Sequence, residues 1–117
     1  MFYNRISYDD GYDGFGVGPE GDRLAGLLGN HSILMMGQHG ILVVADNVAE
    51  AFDKIYYFEQ AAMTYITALQ TGKELNIASK EVAEKTARQA ETFIKDSVYH
   101  LKAICNVLNE EEPEYLE

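Results

Sequence analysis

Apolar and polar positions follow two rhythms along the chain. Phe2, Tyr3, Ile6 and Tyr8 alternate imperfectly and predict a short, aromatic-rich strand. Asp9 to Gly18 carries Gly11, Gly14, Gly16 and Gly18 among aspartates and predicts a loop. Pro19 suits a first helical turn, with Glu20 and Asp22 near the positive end of the helix dipole. Leu24, Leu27 and Leu28 then form the stripe of a short helix that Gly29 terminates. Two apolar runs follow, Ser32–Met36 and Ile41–Ala45, separated by Gly37-Gln38-His39-Gly40. Short runs bounded by glycine and polar residues suit strands buried on both faces. Their connection fits a hairpin, or one strand that kinks or bulges at the glycines.

The second half changes to a helical period. Asn47, with Glu50 three residues on, predicts an N-cap and a long helix to about Thr71, ended by Gly72. Its expected core line is Val48, Phe52, Ile55, Glu59, Ala62, Ile66 and Leu69. Ser79 opens a second long helix with Ala83, Ala87, Ala90, Ile94, Val98, Leu101, Cys105 and Leu108 on one face. Residues 1–108 are expected to be globular, and the glutamate-rich stretch 109–117 to fray as an acidic tail. Strands first and helices last predict an α/β arrangement, with helices packed on a small sheet.

The 117 residues make one compact domain at most, and a composition 47% hydrophobic and 24% charged excludes disorder throughout. A net charge of −10 argues against a nucleic-acid-binding module, which needs a basic face, and against a polybasic membrane anchor. Cys105 stands alone, so an internal disulfide is excluded and a reducing compartment fits. No C-x-x-C is present. The longest purely apolar stretch, Ile41–Ala45, is far too short to cross a bilayer, and the start lacks a secretory signal. A cytoplasmic protein with neither nucleic-acid nor membrane partners is expected.

Few residues carry candidate chemistry. Gly16-Val17-Gly18-Pro19-Glu20-Gly21 satisfies G-x-G-x-x-G. Its approach is acidic, Pro19 removes a backbone donor and Glu20 stands where a pyrophosphate would sit, so a plain glycine loop is the better reading. His39 lies in a glycine-flanked turn between apolar runs, where a rigid strand end can hold a metal-binding imidazole. A lone histidine more often satisfies local backbone groups, and a metal needs three or four donors. His31 and His100 complete the histidine set, with no H-x-H or H-E-x-x-H.

Glu59 falls on the apolar line of its helix, where burial is costly without a partner. It reads as a carboxylate supporting an active site or holding its loop, as a partly exposed residue at the stripe edge, or as one hydrogen-bonded by a nearby tyrosine. Tyr56, Tyr57, Phe58 and Tyr65 give the helix aromatic mass suited to a core or a subunit interface. Cys105 reads as an inert core thiol.

Three segments together resemble the class II aldolase/adducin family: Leu34–Val44 with its Gly-Gln-His-Gly turn, Val48-Ala49-Glu50-Ala51-Phe52, and Tyr56-Tyr57-Phe58-Glu59-Gln60-Ala61-Ala62. Phe2–Tyr8 and Glu20–Leu24 resemble its bacterial aldolase and decarboxylase-like branch. The resemblance spans about Phe2 to Leu75. It implies half of an α/β/α domain, with a small, mainly antiparallel sheet.

The resemblance further implies a divalent cation, zinc foremost, held by three histidines, with His39 matching the one from the His-Gly turn. In such enzymes the metal stabilises an enediolate formed when a carbon–carbon bond breaks. The other two histidines come from an H-x-H that this chain lacks, as it lacks the catalytic glutamate of the first half. Glu59 matches a position of the helix motif instead. The expectation is therefore a fragment, split or truncated member, inactive alone, retaining no metal by itself and forming a homo-oligomer or pairing with a missing first half. The alternative is a non-catalytic, adducin-like interaction module, self-associating or cytoskeletal.

Overall fold

A computed structural model describes residues 1–11, 14 and 17–116. The chain divides into two compact units, Phe2–Ala45 and Asp46–Glu117. The first contains β1 (Ile6–Asp9), α1 (Pro19–Leu28), β2 (Ile33–Met36) and β3 (Gly40–Val43). They form a three-stranded sheet in the order β1-β2-β3. β1 runs parallel to β2, with Ile6 opposite Ile33 and Asp9 opposite Met36. Parallel neighbours need a crossover connection, and α1 supplies it while packing on β1 and β2. Pro19 stands in the first turn of α1, and Gly29 ends the helix at φ 54°, its N–H donating to Ala25 O at 3.1 Å. The other part of the expected glycine loop (Tyr12, Asp13, Phe15 and Gly16) lies outside the described residues.

β2 and β3 pair antiparallel, with Leu34 opposite Leu42 and Met36 opposite Gly40. The two apolar runs are thus a hairpin rather than one kinked strand, and the sheet is mixed. Burial on both faces holds for Ile33 and Leu34 at the start of the central strand, which has neighbours on either side. It fails at Met35 and Val44, which are exposed. Met35 sits where β2 runs out into an open hollow, and Val44 lies beyond the end of edge strand β3.

The second unit is helical: α2 (Val48–Gln70), α3 (Lys80–Thr92), a 3-10 turn (Ile94–Asp96), α4 (Ser97–Glu111) and a final 3-10 turn (Pro113–Leu116). The expected cap on α2 is present. Asn47 Oδ1 accepts from the Glu50 N–H at 3.0 Å, and its amide donates back to the Glu50 carboxylate at 2.9 Å. Ser79 caps α3 in the same way, accepting from the Val82 N–H.

The expected single helix from Ser79 is two. Phe93 and Asp96 have ψ near zero, and their N–H groups donate to carbonyls three residues back. The chain redirects there because α4 packs along α2, whereas among the described elements α3 meets only the 3-10 turn. The apolar stripe nevertheless survives the break: Ala87 is buried, and Ala83, Ala90, Ile94, Leu101, Cys105 and Leu108 are half-buried. Val98 departs from it and is exposed. Buried Ser97 sits at the bend, its hydroxyl without a hydrogen-bond partner among the described residues. The chain is helical through Glu111, and Tyr115 Oη donates to Asn109 Oδ1.

The core line expected on α2 is only partly covered. Phe52 and Ala62 are half-buried, while Val48, Ile55, Ile66 and Leu69 are exposed. Ala49 and Phe58, off that line, are buried instead. Among the described residues the helical unit buries only three apolar side chains, those of Ala49, Phe58 and Ala87.

Candidate functional site

The β2–β3 turn is built from Gly37, Gln38 and His39. The His39 N–H donates to Met36 O at 3.2 Å, closing the turn, and Gly40 follows at φ 132°, a conformation that L residues rarely adopt. The Gly37 N–H donates to Asp9 O at 2.8 Å, tying the turn to the end of β1. A Cβ on Gly37 would stand 3.3 Å from that carbonyl oxygen, so a hydrogen there lets the two strands approach. His39 is exposed and lines an open hollow of about 480 Å³, together with Tyr8, Asp9, Asp10, Met36 and Gln38.

Below the hollow is a charge cluster that sequence reasoning missed. The guanidinium of Arg23 on α1 bridges both oxygens of Asp9, with Nη1 to Oδ1 at 2.8 Å and Nη2 to Oδ2 at 2.7 Å. It also reaches both oxygens of Glu20, through Nε and Nη2, each at 2.7 Å. Asp9 and Glu20 are buried, so the Arg23 guanidinium bonds two desolvated carboxylates. The Gly11 N–H adds a third donor to Asp9. These hydrogen bonds, Arg23 foremost, hold the Asp9 carboxyl below its usual range of 3.8 although burial pushes it up. Glu20 and Asp9 raise Arg23 further above its already high value. The only hint in the sequence is Glu20 and Arg23 at helical i,i+3 spacing.

A carboxylate held lower in the folded state stabilises the fold above its unfolded value and ceases to do so as pH falls through the folded one. Asp9→Asn is therefore expected to lower the urea midpoint by a constant amount from about pH 7 to about pH 5. The gap should close below pH 3.8. A gap unchanged at strongly acid pH would show that Asp9 does not act through its charge.

His31 and His100 each pair with a neighbouring side chain. Ser7 Oγ and His31 Nδ1 share a hydrogen bond at 2.7 Å. His100 on α4 bonds Asp53 on α2 at 2.7 Å, its ring edge-on to Tyr56 at 4.7 Å and tilted against Phe52 at 5.3 Å. Nothing in the sequence announces this pair, whose members are 47 positions apart. Glu59 is exposed on α2, so the burial penalty inferred for it does not arise.

Residues 1–66, which include both the hollow and Glu59, match the profile of the class II aldolase and adducin N-terminal domain. The chain belongs to the class II aldolase and adducin family. A Caulobacter vibrioides protein named for aldolase class 2 is 28% identical over 86 residues, covering 73% of this chain and 33% of that protein. The crystal structure of an aldolase II superfamily protein from Pseudomonas syringae matches with a TM-score of 0.85 and 27% identity, covering 99% of this chain and 47% of that one. The chain thus spans about a third of the curated relative and about half of the solved one. The family is generally metal-dependent. No group of three or more His, Cys, Asp or Glu side chains able to hold a metal is present among the described residues. Asp9, beside His39 in the hollow, has both oxygens engaged by Arg23. Among the described residues, the donors around His39 do not by themselves make up a metal centre. No described helix is long and apolar enough to cross a membrane.

Proposed function

We propose that this chain is a fragment or truncated member of a metal-dependent class II aldolase or decarboxylase-like carbon–carbon lyase, inactive alone. His39 is its metal-ligand position, and Glu59 a carboxylate that supports the site. The observation that carries this reading is an exposed imidazole on a tight turn beside a hollow, in a chain of this family. A solvent-facing ring on a backbone held by Gly37 and Gly40 is suited to meet a ligand rather than to fill a core. Zinc is the first cation to test. The remaining donors come from a missing half of the domain, and the chain works as a cytoplasmic homo-oligomer or beside that half.

Zinc titration followed by NMR tests the role of His39. Its ring signals should move at lower zinc than those of His31 and His100, and His39→Ala should abolish that first response. Retro-aldol turnover by the chain alone should be undetectable. Equal response at His31 and His39 would overturn the ligand assignment. Tightly bound stoichiometric zinc with turnover would overturn inactivity.

The second reading is a non-catalytic, adducin-like interaction module. What favours it is the amount of apolar helix surface left exposed on α2. A chain that self-associates and shows no zinc response at His39 would fit that reading instead.

A further inference from the structure

Between Ser79 and Glu112 the sequence holds neither glycine nor proline, yet its helix breaks at Ile94–Asp96. A short 3-10 stretch inside a helical run often marks a hinge. Here the backbone bonds reach only three residues back. Phe93 N–H donates to Ala90 O at 3.1 Å, Asp96 N–H to Phe93 O at 2.9 Å, and Ser97 N–H to Ile94 O. The bend leaves three side chains poorly placed. Ser97 is 2% exposed, and its hydroxyl has no hydrogen-bond partner among the described residues. Phe93 is 66% exposed and Val98 56%, although Val98 stands at helical spacing between Ile94 and Leu101.

Straightening the chain would correct these faults. In an unbroken helix a hydroxyl can donate to the carbonyl four residues back. Helix α2 shows that bond twice, from Thr64 Oγ1 to Gln60 O and from Thr67 Oγ1 to Met63 O, both at 2.8 Å. For Ser97 the corresponding acceptor is Phe93 O, which the 3-10 turn gives to the Asp96 N–H instead. A regular turn would also return Val98 to the stripe of Ile94 and Leu101. The bent form has the burial of Ala87 in its favour, and that side chain is small. Among the described elements α3 meets only the 3-10 turn, so little else holds it in place.

We infer that Ile94–Asp96 is a hinge, about which α3 swings between the bent form and one continuous helix with α4. Helix α4 is the fixed side, since it packs along α2 and His100 bonds Asp53 there at 2.7 Å. Helix α3 is the moving arm. Ser97 sets the balance between the two forms, because its hydroxyl is stranded in one and finds an acceptor in the other. Asp96 acts the opposite way. It makes no capping hydrogen bond at the start of α4, and aspartate is a poor residue for the interior of a continuous helix. The hinge lies wholly within the helical unit and stands or falls apart from the role of His39.

The test is the distance between spin labels on the full chain, measured by pulsed electron resonance. Labels go on cysteines placed at Lys85 of α3 and Asn106 of α4, both exposed, with Cys105→Ala removing the native thiol. Dilution in unlabelled chain restricts the signal to distances within one molecule. The otherwise unaltered chain should show two distances, one of about 32 Å for the continuous helix and a clearly shorter one for the bend. Ser97→Ala should raise the ratio of short to long at least about threefold, because a stranded buried hydroxyl outweighs the small gain in helix propensity. Asp96→Ala should lower that ratio. Both variants should keep their helical circular dichroism. A single distance in the unaltered chain would overturn the inference. So would two alanine variants that move the ratio in the same direction, or that leave it where it was.

Discussion

Leu34→Ala is expected to destabilise the sheet unit by about 2–5 kcal/mol, the range for deleting buried leucine methyl groups and leaving a cavity. Leu34 is 0% exposed on the central strand, paired with Ser7 of β1 and Leu42 of β3. The consequence reaches the site, since β2 leads directly into Gly37, Gln38 and His39. Urea unfolding followed through hydrogen exchange of the β2 and β3 amides measures it. A change below about 1 kcal/mol would mean that the strand is not the core the structure describes.

Phe58→Ala is the corresponding experiment for the helical unit, with an expected loss of about 3–5 kcal/mol. Among the described residues Phe58 is the one large apolar side chain buried there; Ala49 and Ala87 have almost nothing to truncate. The expected result is loss of helical circular dichroism at lower urea. Tyr65→Ala, on an exposed ring of the same helix, should move that midpoint far less in dilute, unpaired protein. Equal effects from the two would mean that α2 draws its stability from propensity rather than from packing.

The positions that were legible in the sequence carry a local signal. Asn47 and Glu50 cap a helix because both hydrogen bonds lie within four residues, and Gly29 stops α1 through its own backbone. The Gly37–Gly40 turn was marked by its glycines, although only the register distinguished a hairpin from a bent strand. The break at Phe93–Asp96 was hidden because the apolar stripe continues through it without a glycine or a proline. Periodicity also named a face of α2 without saying what would lie opposite, so Ile66 and Leu69 read as core and stand exposed. The Asp9–Arg23–Glu20 cluster was illegible for another reason. Arg23 is brought to Asp9 by the β1–α1 crossover, and charges flanking a glycine-rich segment look like solvated loop. His39 stands out in the sequence by its setting, whereas Asp9 and Asp10, which line the same hollow, come near it only through the pairing of β1 with β2.

That pairing also orders the folding of the sheet. The β2–β3 hairpin closes across a turn, on a scale of microseconds, whereas β1 must wait for α1 to bring Ile6 alongside Ile33. Until it arrives, one flank of the hairpin offers unmatched backbone groups to any passing strand. Arg23, fastened to both oxygens of Asp9 at the far end of β1, is one of the contacts that keep that strand in place once it has docked, and so keep the flank of the hairpin covered.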